Sequence, residues 1–176
     1  SALQPEAMAQ LQQEVSEKEN QGAVWVVLWE DLKKNLPLEL KVSPIAMIPH
    51  KSRLYRVILD LSYKLRLTPE EGLKSVNEST TKTAPWGAID QLGQSLSRII
   101  HAFAEVDDNV KVFIAKWDIK DGFWRVNYEE GEEYNCAYVL LREDGMPVKL
   151  VIPTTLQMGW IESPPYFGAA SETGRD

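Results

Sequence analysis

Apolar and polar positions change period several times along the chain, and each change predicts an element. Over residues 1–20, Met8, Leu11 and Val15 recur at helical spacing among Gln and Glu, which predicts a polar helix with one apolar stripe at the periphery of the fold. Trp25, Leu28, Trp29 and Leu32 share one helical face, so a second, more apolar helix is expected over Ala23–Leu36, bounded by Pro37. Val42–Ile48 alternates loosely and Tyr55–Leu61 is β-prone. With a turn at Pro49–Arg53 they predict a hairpin. Thr68–Pro85, rich in Pro, Gly, Ser, Asn and Thr, reads as a loop. Trp86–Val106 carries the longest helical stripe, Ile89, Leu92, Leu96, Ile99, Ile100 and Phe103, with His101 on its polar side, and is expected to pack beneath a sheet.

The next run, VKVFIAKW from Val110 to Trp117, is apolar apart from Lys111 and Lys116 and predicts a buried or half-buried strand. It exits at Asp118, and Asp121-Gly122 follows. A carboxylate at the end of a buried strand is costly unless water, hydrogen bonds or a cation compensate it. A second carboxylate nearby makes an oxygen-bound divalent cation an attractive solution. On its own, D-x-x-D-G also fits a plain surface turn or a degenerate calcium loop. Downstream, YEEGEEY forms a charged turn around Gly131. Cys136–Leu141 and Val148–Ile152 then predict two strands joined at Glu143–Gly145, and a helix is expected from Ser163 onward. The expected fold class is α+β, with one sheet of residues 110–117, 136–141 and 148–152 packed on helices.

Composition narrows the class without deciding function. With 176 residues, 44% of them hydrophobic and 26% charged, the chain suits one globular domain with its own core. Its longest apolar run, Ala23–Trp29, falls far short of the ~20 residues of a membrane span, so no membrane role is expected. No secretory signal is visible, and Cys136, the single cysteine, permits no internal disulfide. Ser1 in place of Met and a final helix that runs to the last residue suggest a fragment of a longer polypeptide. Net charge is −7, which argues against a protein that grips nucleic acid over its whole surface. Between Lys41 and Arg66, however, six basic residues (Lys41, Lys51, Arg53, Arg56, Lys64, Arg66) face one acid, Asp60. Such a segment could contact phosphates or simply be a solvated basic surface. His50 has no Cys or second His nearby, so it reads as part of the basic tip and not as a zinc ligand.

Three motifs, in order, resemble the reverse transcriptases. SPIAMIPHKSRLYRVILDLS follows the fingers pattern of a Ser-Pro strand, a basic tip and an Arg-containing strand ending in Asp, with Ser43, Pro44, Lys51, Arg56 and Asp60 in matching places. KWDIKDGFWRV resembles the palm strand that carries a metal-binding aspartate, with Asp118, Gly122 and Phe123 in its places. IPTTLQMGWIESPPYF resembles the turn and helix that follow, through Gly159, Trp160, Ser163, Pro164 and Phe167. Met158 stands where many retroviral relatives have Gln, and Glu162 replaces the usual small residue before Ser-Pro. The wording is closest to the polymerase segment of a eukaryotic LTR-type retrotransposon polyprotein. The resemblance covers Ser43–Phe167, about seventy per cent of the chain.

The resemblance implies a polymerase right-hand fold: residues 1–40 as a helical lead-in, and 41–176 as fingers hairpin and partial palm, truncated before the aromatic-x-Asp-Asp motif. It implies nucleotidyl transfer with two Mg²⁺ (or Mn²⁺) ions in the complete enzyme, and Asp118 as catalytic residue and metal ligand. The dNTP would meet Lys51, Arg56, Ile119, Asp121, Gly122, Phe123 and Met158. The RNA or DNA template with its primer would meet Gly159, Trp160, Ser163 and Pro164. Other partners would be the remainder of the polyprotein, with palm, thumb and ribonuclease H. The location would be cytoplasmic, including retrotransposon particles. Without the second aspartate pair the fragment alone is expected to be inactive, since Asp107-Asp108 precedes the strand. The alternative, of a different class, is a catalytically dead polymerase-derived module that binds nucleic acid or protein.

Overall fold

The computed structural model describes residues 4–51, 54–65, 72–116 and 118–173. Arg53, Arg66, residues 68–71 of the expected loop and Trp117 therefore lie outside the described residues, as does the side chain of Leu92. The architecture is α+β, with two small antiparallel sheets: the expected hairpin, and a three-stranded sheet in which residues 24–28 take the place of the expected 110–117 strand.

The first helix, α1 (Pro5–Asn20), opens with Pro at its first turn, where a missing N–H costs no helical bond. It is central, contrary to the expected peripheral position. Ala7, Leu11 and Val15 are buried and share one cluster with Val24, Met47, Tyr55, Tyr138 and Val151, drawn from both sheets. A Val, Leu or Met side chain contributes about 1.5–3 kcal/mol when fully buried.

The helix expected over Ala23–Leu36 is corrected. Val24–Leu28 is a strand, β1, and only Trp29–Leu32 forms a helical turn, α2. The β-branched run Val24, Val26, Val27 suits a pleated ladder. It finds one in register with β5 (Lys149–Pro153), Val24 opposite Pro153 and Leu28 opposite Lys149. On its other edge β5 pairs with β4 (Tyr138–Val139), so the order is β1-β5-β4. The strand expected over Cys136–Leu141 is thus shortened, because Glu133–Cys136 is wound into a 3-10 turn.

The expected hairpin forms, from β2 (Ile45–Pro49) and β3 (Tyr55–Leu59). Besides its apolar contacts, helix α1 docks on it through the amide of Gln10. Gln10 Nε2 donates to the Tyr55 carbonyl at 2.6 Å and Gln10 Oε1 accepts from the Tyr55 N–H at 3.0 Å. That side chain acts as a strand partner on the open edge of β3.

Two further expectations fail. Residues 111–116 form no strand: Phe113 is 87% exposed and Ile114 76%, with Val110 and Val112 also exposed. β-propensity describes fit to a half-buried sheet, and both edges of β5 are already occupied by β1 and β4. The single helix expected over Trp86–Val106 is two, α4 (Trp86–Gly93) and α5 (Ser95–Ala104). The break falls at Gly93-Gln94, Gly being a weak helix former and Gln94 lying at φ −97° and ψ 5°. The stripe Leu96, Ile99, Ile100 and Phe103 is exposed and does not lie beneath a sheet. Instead α4 packs on α6 (Ser163–Thr173), and Arg98 of α5 reaches Glu172 of α6 at 3.4 Å. No described helix is long and apolar enough to cross a membrane.

Candidate functional site

The site residues fall on three pieces of the fold, and the turn between β5 and α6 touches the other two. In that turn Gly159 adopts φ +97°, and a Cβ there would lie 3.3 Å from the carbonyl oxygen of Leu59 at the end of β3. The glycine is therefore required by the chain itself, by backbone conformation and by close approach to the hairpin. Next to it, the Arg56 guanidinium of β3 contacts the Met158 sulfur. Arg56 thus faces the turn, and Asp60, four residues on, accepts from the Ser62 N–H at 3.0 Å.

After Asp118, the chain turns at Asp121, which has φ 54° and ψ 42°. Asp tolerates this left-handed region better than most residues. Gly122–Arg125 then forms a 3-10 turn. A Cβ on Gly122 would sit 2.6 Å from Phe167 Cζ, so any other residue would force the α6 ring to shift. Phe123 meets the same ring edge-on, centroids 5.4 Å apart at 86°. Phe123, expected to meet the dNTP, is thus a partly buried packing residue.

Several side chains expected to touch template are engaged internally. Ser163 is wholly buried, and its hydroxyl donates to the Gln157 carbonyl at 2.7 Å. Trp160 Nε1 donates to Thr80 Oγ1 at 2.9 Å, and its ring stacks on Tyr166 and meets Tyr128 edge-on. Pro164 and Met158 remain exposed beside them. Glu162, the departure from the usual small residue, is buried and accepts from the Thr83 and Ala84 N–H groups at 2.9 and 2.8 Å. A small residue could not make this tie between the turn and the 80–85 segment.

Lys51 at the hairpin tip, Asp118 and Ile119 are exposed. Among the described residues, no hydrogen bond, ion pair or ring contact joins them to the rest of the site. Nor does any group of three His, Cys, Asp or Glu side chains gather to hold a metal. Asp121 is drawn instead to Lys18, at 3.4 Å. An exposed lone carboxylate does not make an all-protein cation cage. It does fit Mg²⁺ held jointly with nucleotide phosphates, which takes one or two protein carboxylates.

Two contributors escaped the sequence reading. Asn77 clamps the turn, donating to the Gly159 carbonyl at 2.9 Å and accepting from the Ile161 N–H at 3.1 Å. It sits in a one-turn helix, α3 (Val76–Ser79), within the expected loop, and the signal was legible: Ser75-x-x-Glu78 is a capping box. Lys18, the second, lies 4.5 Å from the Trp124 ring centroid as well as against Asp121, tying α1 to the turn after Asp118. No sequence spacing announces a contact between residues so far apart.

No model of a known protein family matches the chain, and no curated protein matches it. The likeness to reverse transcriptases therefore rests on the three sequence motifs alone.

Proposed function

We propose that this chain is the fingers and part of the palm of an RNA-directed DNA polymerase, of the kind encoded by eukaryotic LTR-type retrotransposons, with the right-hand polymerase fold. One observation carries the reading: three motifs distant in sequence meet. The Met158–Gly159 turn touches Arg56 and Leu59 of the hairpin, and the helix that follows it meets Gly122 and Phe123 through Phe167.

In this reading Arg56 and Lys51 neutralise the triphosphate of a dNTP, the guanidinium as a planar fork and the ammonium as an adaptable point charge. The backbone from Ile119 through Asp121 to Gly122 cradles the phosphates, Met158 borders the nucleotide, and Phe123 lies beneath its sugar. Gly159 and Pro164 face template and primer, while Trp160 and Ser163, buried in the fold's own bonds, hold that turn in place. Asp118 is the carboxylate that would hold Mg²⁺ or Mn²⁺, which when bound activates the primer 3′-hydroxyl and stabilises charge on the transferring phosphate. The rest of the palm would cover the exposed faces of α5 and residues 110–116 and supply the remaining carboxylates. The setting is the cytoplasm, within element particles.

The test is primer extension. The full polypeptide encoded by the reading frame should incorporate dNTPs on a primed RNA template, and chelation of divalent cations should stop it. Absence of incorporation by the full polypeptide, with template bound, would favour a catalytically dead binding module.

A further inference from the structure

A cavity of about 440 Å³ opens between the acidic Tyr128–Tyr134 loop and α3. It is of the size that small ligands occupy, roughly 300–1,000 Å³. Three aromatic rings form its walls. Trp160 and Tyr166 are stacked, centroids 6.0 Å apart at 15°, and Tyr128 stands edge-on to Trp160 at 5.5 Å. The polar atoms of all three are already used: Trp160 Nε1 on Thr80, Tyr166 OH with Thr83 Oγ1, and Tyr128 OH on Cys136 Sγ. The three rings thus present apolar, π-bearing atoms to the cavity they line, and an aromatic ring attracts cations.

The charged lining groups agree. Glu129 and Glu132 line the cavity, and both residues are exposed to solvent at the loop. Against them stands Lys41, whose ammonium is engaged by Ser79 Oγ. The buried Cys136 thiol, pushed up to about 11 by desolvation, adds no charge at neutral pH. Nor does Tyr128, whose phenol burial also raises. Two carboxylates thus oppose one ammonium that is already hydrogen-bonded. An anion would meet net repulsion, and a bare metal ion would gain little from aromatic walls.

We propose that this cavity binds a small organic cation, an alkylammonium or guanidinium group on an apolar stem, with its charge against the Tyr128, Trp160 and Tyr166 rings and near Glu129 and Glu132. The site is independent of the polymerase reading and survives its failure. The same chemistry is offered by a free quaternary ammonium and by an arginine side chain of a polypeptide.

Calorimetric titration of the chain separates the possibilities, using choline, its neutral isostere 3,3-dimethylbutan-1-ol, and N-acetyl-arginine amide. At least one cation should bind one-to-one, about tenfold or more tighter than the neutral isostere. Tighter binding of choline assigns a free quaternary ammonium, and tighter binding of the arginine amide assigns a polypeptide side chain. The double variant Glu129→Gln/Glu132→Gln should weaken the cation by about tenfold. Lys41→Met should strengthen it, an opposite effect that general loss of structure would not produce. Failure of both cations to bind, equal binding of the isostere, or cation affinity unmoved by both variants would each overturn the site.

Discussion

Gly122 and Phe167 give the sharpest structural test, because their contact joins two of the three motifs. Replacing Gly122 with Ala places a methyl 2.6 Å from Phe167 Cζ and 2.8 Å from Cε2. Carbon atoms pack comfortably at about 3.5–4.0 Å, so the ring must withdraw by roughly 1 Å. It is also held edge-on to Phe123, so the strain passes into that pair. Overpacking of this kind costs about 1–3 kcal/mol. For a chain of this length each kcal/mol lowers the melting temperature by about 2–4 °C. Thermal and urea denaturation of Gly122→Ala, Phe167→Leu and the double variant should show a melting drop of several degrees in the first. The coupling between the two changes should be at least about 0.5 kcal/mol, because the smaller side chain makes room for the methyl. A Gly122→Ala protein as stable as the parent, or strictly additive effects, would refute the packing described.

Glu162→Ala should destabilise by about 1.5–3 kcal/mol, since the buried Ala84 N–H and the partly buried Thr83 N–H lose a charged acceptor, and amide exchange at Thr83 and Ala84 should quicken. Unchanged exchange there would contradict the tie. On the proposed polymerase reading, Lys51→Ala and Arg56→Ala in the full-length polypeptide should each raise the KM for dNTP, by about tenfold where a charge-assisted bond is lost, and equal KM values would remove them from the proposed triphosphate site. Phe123→Val should admit ribonucleotides while keeping most dNTP incorporation, against a parental discrimination of roughly a hundredfold or more. Unchanged selectivity would mean that Phe123 serves only to pack on Phe167.

What could be read from the sequence was the local chemistry. The hairpin of β2 and β3 was legible because two β-prone runs flank a turn, and α1 because Leu11 and Val15 repeat at helical spacing. The elements that failed depend on partners. Val24–Leu28 has a helical stripe of Trp and Leu and also a β-branched run, and pairing with β5 decided between them. Residues 110–116 have strand chemistry, but β5 is paired on both sides, and the run stays exposed. At the site, the order of Arg56, Gly122 and Gly159 along the chain was legible. The demands that fix the two glycines, from Phe167 and from Leu59, were not, because they arise from tertiary contacts.

The central claim is that Asp118 belongs to a polymerase centre, and one substitution tests it most directly. Asp118→Asn in the full-length polypeptide keeps the size of the exposed side chain and removes its charge and most of its affinity for a hard cation. Nucleotide incorporation on a primed RNA template should fall to background, while the affinity for that primer-template stays within about threefold of the parent, the change expected of a residue that makes no phosphate contact. Incorporation by Asp118→Asn at near-parental rates would contradict the assignment.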